Sequence, residues 1–346
     1  MKIAVINDTH FGVKNDSLFF LEESLNFFEK QFFPYLLQNN IRTVLHLGDL
    51  MDRRKYVNFF TLNQVQDRFI DFFGNNNIDL HLTIGNHDTF FKNTNTVNST
   101  TELYSNKKNI NIHNNPIDLE FDGLKISLIP WITNDNEDLC LSHIETTSAS
   151  ILAGHFEING FEVVTNIRHS TGKDPACFTK FDKVLSGHFH IRQSKGNIHY
   201  LGSQYQTTFG DVGTKKGFTI LDTDTRELEF IENTRKIFHV IKYDDVNGMD
   251  KVNPNELKNG HIKLVVVNKK KTKLFDSFID ILNSCEPQEM TIIEEFETTG
   301  DVDGEVDMTQ DTISIIANEV ENSENITNKE KIKTLIKELY MECFSI

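Results

Sequence analysis

Five short apolar runs in this sequence each stop at a small or polar residue and hand over to Asp, Asn or His. Lys2-Ile3-Ala4-Val5-Ile6 leads into Asp8 and His10, and Leu45-His46-Leu47-Gly48 into Asp49 and Asp52. Leu82-Thr83-Ile84-Gly85 leads into Asn86, His87 and Asp88, Ile151-Leu152-Ala153-Gly154 into His155, and Val184-Leu185-Ser186-Gly187 into His188 and His190. Apolar runs of this length read as buried strands. A chain that repeats the pattern is expected to bring the strand ends to one sheet edge, with Asp49 at the centre of the polar cluster.

The segments between the runs favour an α/β fold. Leu18, Leu21, Leu25, Phe28, Phe32 and Leu36 recur at steps of three and four, an amphipathic helix whose end Pro34 is expected to kink or shorten. Leu62, Val65, Phe69 and Phe72 mark a second helix, broken by Asn75-Asn76-Asn77. Residues beyond Asp88 read as a polar loop to about Ser99. Asp122-Gly123 between two apolar runs signals a hairpin. Several further strands between 183 and 231 make the second half richer in β, so a two-sheet α/β sandwich flanked by helices over 1–235 fits best. Residues 236–297 read as a small α/β unit and 298–311 as an acidic linker. Residues 312–346 read as two helices, the second with a capping box at Thr327 and Glu330 and an apolar stripe of Ile332, Leu335, Ile336, Leu339 and Cys343. A partner protein is a natural recipient for that stripe. The second helix of the first unit carries more Phe than one face can bury (Phe59, Phe60, Phe69, Phe72, Phe73), and a dimer seam would use the remainder.

The formal net charge of −16 looks wrong for a nucleic-acid partner. From Glu286 onward, however, the chain has 16 acidic and 4 basic residues, a net of −12, which leaves −4 for residues 1–285. The acidity therefore does not exclude DNA binding by the first part. The cysteines (Cys140, Cys177, Cys285, Cys343) show no paired metal spacing, which fits a reduced cytoplasmic chain. No apolar run approaches the roughly 20 residues that span a bilayer.

Asp, His and Asn at five strand ends suit two divalent cations. Cations about 3.5–4 Å apart repel, so a carboxylate must bridge them, and such a pair activates water and polarises a phosphoryl oxygen. Mixed N and O donors favour Mn, Fe or Zn over Ca and Mg. The chemistry is then phosphoester hydrolysis.

Asp-x-His, Gly-Asp-x-x-Asp, Gly-Asn-His-Asp, Gly-His and Gly-His-x-His, in this order, resemble the calcineurin-like metallophosphoesterases. Gly48–Lys55, Ile84–Asp88 and Ser186–His190 resemble the SbcD-type DNA-repair nucleases. Ser148–Ser150, Gly154–Phe161 and Leu128–Trp131 are similar to the T-even phage branch, a recombination endonuclease nuclease subunit. The resemblance covers about 1–235. It implies one manganese ion held by Asp8, His10, Asp49 and His190, and a second by Asp49, Asn86, His155 and His188. His87 would serve as acid or charge stabiliser, oriented by Asp88. It also implies exonuclease action on duplex ends, endonuclease action on single strands, a homodimer within a heterotetramer, and an SbcC-type coiled-coil ATPase partner. By the same analogy 236–297 caps the site and touches DNA, while 312–346 docks on the ATPase. Many cellular members have His where this chain has Asp52, which is expected to orient a ligand histidine instead. Arg53, Arg54 and Lys55 beside the site are DNA-phosphate candidates, though solvated helix-start charge is an equal reading. A phosphoesterase acting on non-DNA phosphoesters and a non-catalytic scaffold for an ATPase are the competing functions.

Overall fold

The computed structural model describes residues 1–165 and 167–294, with isolated positions between 316 and 336. Two six-stranded sheets stack face to face. The first runs, in spatial order, Leu228–Glu232, Gly217–Asp222, Lys2–Ile6, Thr43–His46, Asp79–Thr83 and Ile110–His113. The second runs Gln193–Lys195, Ile198–Tyr200, Lys183–Gly187, Ile151–His155, Leu124–Ile129 and Ile117–Phe121. The central strands of both sheets are parallel to their neighbours on the sides that carry the polar strand ends.

Side-chain alternation sets the layers. Ile3, Val5 and Leu45 point into a core shared with Ile126, Leu128, Ile151, Ala153 and Leu185 of the second sheet. Ala4, Ile6 and Val44 point the other way, into helices lined with Phe28, Phe32, Phe69 and Phe73. Leu152 and Val184 face the second sheet's outer core with Phe156, Phe178 and, from helix Glu137–Thr146, Cys140 and Ile144. The chain thus forms the helix-flanked two-sheet sandwich its sequence implies. Phe28, Phe32, Phe69 and Phe73 are fully buried, and truncating any one to Ala should cost about 3–5 kcal/mol.

Pro34 does not end its helix. Leu18–Phe27 continues through a wide turn, Phe28–Phe32, into Phe33–Gln38. In that turn the Phe33 N–H bonds the Phe28 carbonyl, five residues back. The ladder is already shifted where Pro34 has no N–H to give, so the ring is tolerated. The second helix carries a matching wide turn, Gln66–Ile70, between Phe59–Val65 and Asp71–Asn76, and stops at Asn77 in the left-handed region. The polar stretch after Asp88 is not a loop. It forms a hairpin, Thr89–Phe91 with Thr94–Asn98, before helix Ser99–Tyr104, since Thr-rich segments pair readily when a tight turn joins them.

Strands Phe238–Asp244, His261–Asn268 and Glu289–Glu294 form a separate three-stranded parallel sheet. Helix Thr272–Ser284 covers it through Phe275, Phe278 and Leu282. Phe20 stacks on Phe238 and His261 of this unit, and Arg235 pairs with Glu23. Lys269, Lys270, Lys271 and Lys273 are exposed, with Lys269 paired to Glu294. The expected linker 298–311, and most of the expected helices of 312–346, lie outside the described residues. Among the described residues, no helix is long and apolar enough to cross a membrane.

Candidate metal centre

All five polar strand ends meet where the two sheets face each other. The first sheet delivers Asp8, His10, Asp49 and Asn86, and the second His155, His188 and His190. Backbone bonds tie the loops together: Asp8 N–H to the Gly48 carbonyl at 3.0 Å, and His10 N–H to that of Asp49 at 3.1 Å. Asp8, His10, Asp49 and His188 all take positive φ (50, 41, 59 and 86°). Each such non-glycine residue stores strain of order 1–3 kcal/mol, which surrounding contacts must hold. Gly85 is required by proximity, because a Cβ there would lie 2.2 Å from Asp49 Oδ1. Gly48, at φ +90°, abuts Gly85 in the same way.

One oxygen sits between two histidines. Asp49 Oδ2 lies 3.2 Å from His155 Nε2 and 3.6 Å from His10 Nε2. On one side His10 Nε2 and His190 Nε2 are 3.1 Å apart, each 3.9 Å from Asp8 Oδ1. On the other, His155 Nε2 and His188 Nδ1 both stand 3.0 Å from Asn86 Oδ1.

The charge balance fits cations. Burial opposes protonation of His10, yet Asp52, Asp49 and Asp8 push it up to about 9. Burial likewise opposes His155, yet Asp49 and Asp8 raise it to about 9. His188 and His190 are instead driven down by burial, His190 to about 4. The buried carboxylates therefore demand positive charge, which divalent ions provide while displacing the ring protons. The N and O donor set, with no cysteine, suits Mn, Fe or Zn.

His87 flanks the cluster. Its N–H donates to Asp49 Oδ1 at 2.7 Å, its ring Nδ1 donates to the Asp52 carbonyl at 2.6 Å, and the ring stands edge-on to His10 at 4.8 Å. Asp88 does not orient this ring. Its fully buried carboxylate instead accepts the N–H groups of Asp49, Gly85 and Leu50 at 2.8, 2.9 and 3.0 Å, because those amides at the strand ends have no ladder partner. It ties the second strand's loop to the third's. Asp52 places Oδ1 3.4 Å from His10 Nδ1.

Arg53 turns inward to Asp16, Asn15 and Tyr56, and Arg54 bonds the Thr89 carbonyl and hydroxyl. Lys55 is exposed. Sequence reasoning missed His46, fully buried and 3.0 Å from Thr9 Oγ1, and Lys216, whose Nζ donates to the His190 carbonyl at 2.9 Å. The sequence marks Trp131 only as part of a motif. The indole stands 5.8 Å from the His155 ring and 5.2 Å from that of His188. A polar residue inside an apolar run marks His46, but nothing local marks Lys216.

Comparison with known proteins places these features. The profile described as "Calcineurin-like phosphoesterase" matches residues 1–192. The chain is 32% identical over 290 residues to Exonuclease subunit 1 of Enterobacteria phage T4, covering 82% of this chain and 83% of that one. It is 30% identical over 115 residues to the SbcD component of the SbcCD nuclease of Staphylococcus epidermidis, 31% of each chain. A solved structure described as a novel archaeal phosphodiesterase overlaps 67% of this chain and 100% of its own, at 17% identity and a TM-score of 0.32. With the profile spanning the whole polar cluster, and a relative this similar along most of its length, the chain belongs to the calcineurin-like phosphoesterases.

Proposed function

We propose that the chain is the nuclease subunit of a DNA recombination and repair complex in the cytoplasm, a host's if a phage encodes it. It hydrolyses phosphodiesters at duplex ends and within single strands, with manganese as the metal. The observation that carries the reading is Asp49 Oδ2 lying between His10 and His155, with Asp49 shared by two clusters of possible donors, one with His10 and His87 and one with Asp8 and His155. Likeness to a phage exonuclease subunit and to a component of a nuclease points to DNA as the substrate.

Asp8, His10, Asp49 and His190 would hold one ion, and Asp49, Asn86, His155 and His188 the other. Two bound divalent cations supply an activated water and neutralise phosphoryl charge. His87, clamped through Nδ1 on the Asp52 carbonyl, presents Nε2 to the scissile phosphate, where a protonated ring would give its proton to the leaving oxygen or offset phosphoryl charge. Asp52 orients His10 through its carboxylate. Asp88 positions Asp49 through the backbone. Lys55 meets DNA phosphate, with Arg53 and Arg54 stiffening the rim behind it.

Residues 236–297 cap the site, and 312–346 dock on a coiled-coil ATPase of the SbcC type. Phe59, 86% exposed, with Tyr56 and Phe60, offers an apolar seam for a homodimer. The test is digestion of linear duplex and single-stranded DNA with and without Mn²⁺, wild type beside His87→Ala. Cleavage that needs both the metal and His87 supports the reading. Hydrolysis of a chromogenic phosphodiester without DNA cleavage would put small phosphoesters in DNA's place. Pull-down of the ATPase should disappear when 312–346 is deleted; intact pull-down refutes that docking.

A further inference from the structure

A recess of about 260 Å³ opens beside His155, between Trp131, Thr133 and Glu137 on one side and Glu157, Gly172 and Lys173 on the other. Both walls are pre-formed. The Trp131 N–H bonds the Ile84 carbonyl at 2.6 Å, and its own carbonyl accepts from the Asn95 and Asn136 side chains at 2.7 and 3.0 Å. Opposite, the excursion after the Ile151–His155 strand closes on itself. Lys173 N–H donates to the Glu157 carbonyl at 2.8 Å, and Asn159 N–H to that of Lys173 at 3.0 Å. Gly172, at φ +94°, permits this closure, since a Cβ would stand 2.5 Å from the Glu157 oxygen.

The lining chemistry narrows the occupant. Glu137 pairs with Lys173, and Glu157 Oε1 lies 2.6 Å from His169 Nε2. Both carboxylates are engaged by basic side chains, and the one lysine of the lining is already taken up by Glu137, so a phosphate would find no cation to spare there. A nucleobase needs none: it brings N–H groups for carboxylate and threonine oxygens, and a π face for the indole. The volume falls just under the roughly 300–1,000 Å³ of pockets for drug-sized molecules, which suits one base. The recess shares Trp131 and His155 with the metal centre, so its occupant is a close neighbour of the reacting phosphodiester.

We infer that this recess receives one unstacked nucleobase of the strand being cut, next to the scissile phosphate. The inference rests on the nuclease reading above and adds a requirement to it: the strand gives up one base from its stack. That cost is smallest in single strands and frayed ends.

The test uses full-length protein with Mn²⁺ and single-stranded oligonucleotides carrying one abasic residue, moved stepwise past the cut site. Bis(p-nitrophenyl) phosphate reports in parallel that the centre is loaded. One abasic position, adjacent to the cut, is expected to raise KM about tenfold or more, the scale of base–aromatic stacking. Asn134 also lines the recess and is exposed, so Asn134→Trp, which adds bulk there, should raise KM for the intact strand to the same level, leaving the abasic change nothing to remove. Efficient cutting with no sensitive position overturns the inference and leaves the nuclease reading standing. An abasic effect that persists undiminished in Asn134→Trp also overturns it. Hydrolysis of the small diester with no strand cut overturns both.

Discussion

Lys216 offers a sharp test of how the second sheet's loops are held. It is 3% exposed, and its Nζ lies 2.6 Å from Asp211 Oδ1, 2.9 Å from the His190 carbonyl and 3.0 Å from Ser203 Oγ. Burial works against the Asp211 carboxylate, but Lys216 and the Thr207 N–H hold it below its usual range. Lys216→Met keeps most of the stem and removes the charge. Breaking one half of a buried pair costs about 3–5 kcal/mol. Asp211 keeps N–H bonds from Thr207 and Thr208 at 2.8 and 3.0 Å, which places the loss at the lower end, about 3 kcal/mol. The orphaned His190 carbonyl adds about 1 kcal/mol, for a total near 4 kcal/mol. Urea unfolding at pH 7, followed by circular dichroism, measures this as a lower midpoint at unchanged slope. Lys216→Met with Asp211→Asn should recover more than half of the loss, because no lone charge remains. Manganese affinity, by calorimetry, should weaken in the single variant through the loosened His190 loop. A loss below about 1 kcal/mol, on the scale of exposed pairs, would show that water reaches the pair and refute the reasoning.

Other substitutions test other links. Asp49→Ala should strip both metals, whereas His87→Ala should keep them and lose cleavage; elemental analysis of the purified proteins decides. Asp88→Ala leaves three buried amides without their acceptor and should lower stability by about 4 kcal/mol in urea titration. His113 is half-buried beside His81, and that partial burial, with the His81 charge after it, holds it down to about 4 in the fold. The folded state thus resists a proton that the unfolded chain takes up near its ordinary value, so stability is full above about 6.5 and falls as pH drops toward 4. His113→Gln should flatten that limb of a stability-against-pH curve.

The sandwich and the convergence of its strand ends were legible because burial on both faces forces continuous apolar runs. Such runs can end in charge only at a sheet edge. The Asp122-Gly123 hairpin was legible because both residues take positive φ there, 48 and 80°. Three features were not legible, each for its own reason. Pro34 sits inside a helix because a wide turn five residues long precedes it, and no residue type announces such a turn. Strand Thr89–Phe91 lies in a segment whose asparagines favour turns and mask the strand preference of its threonines. Asp88 reads as the partner of its sequence neighbour His87, when its partners are backbone amides, two of the three 38 and 39 residues away. Side-chain identity shows that a carboxylate is present, not which way it turns.

The donor atoms come from two separate layers: Asp8, His10, Asp49 and Asn86 from one, His155, His188 and His190 from the other. An ion coordinated from both would act as a rivet across the seam. Sliding either layer by an ångström would part the histidines from their shared oxygens while leaving each layer's own ladder intact. Heat or a chelator should therefore silence this protein at a stage when its strands are still paired.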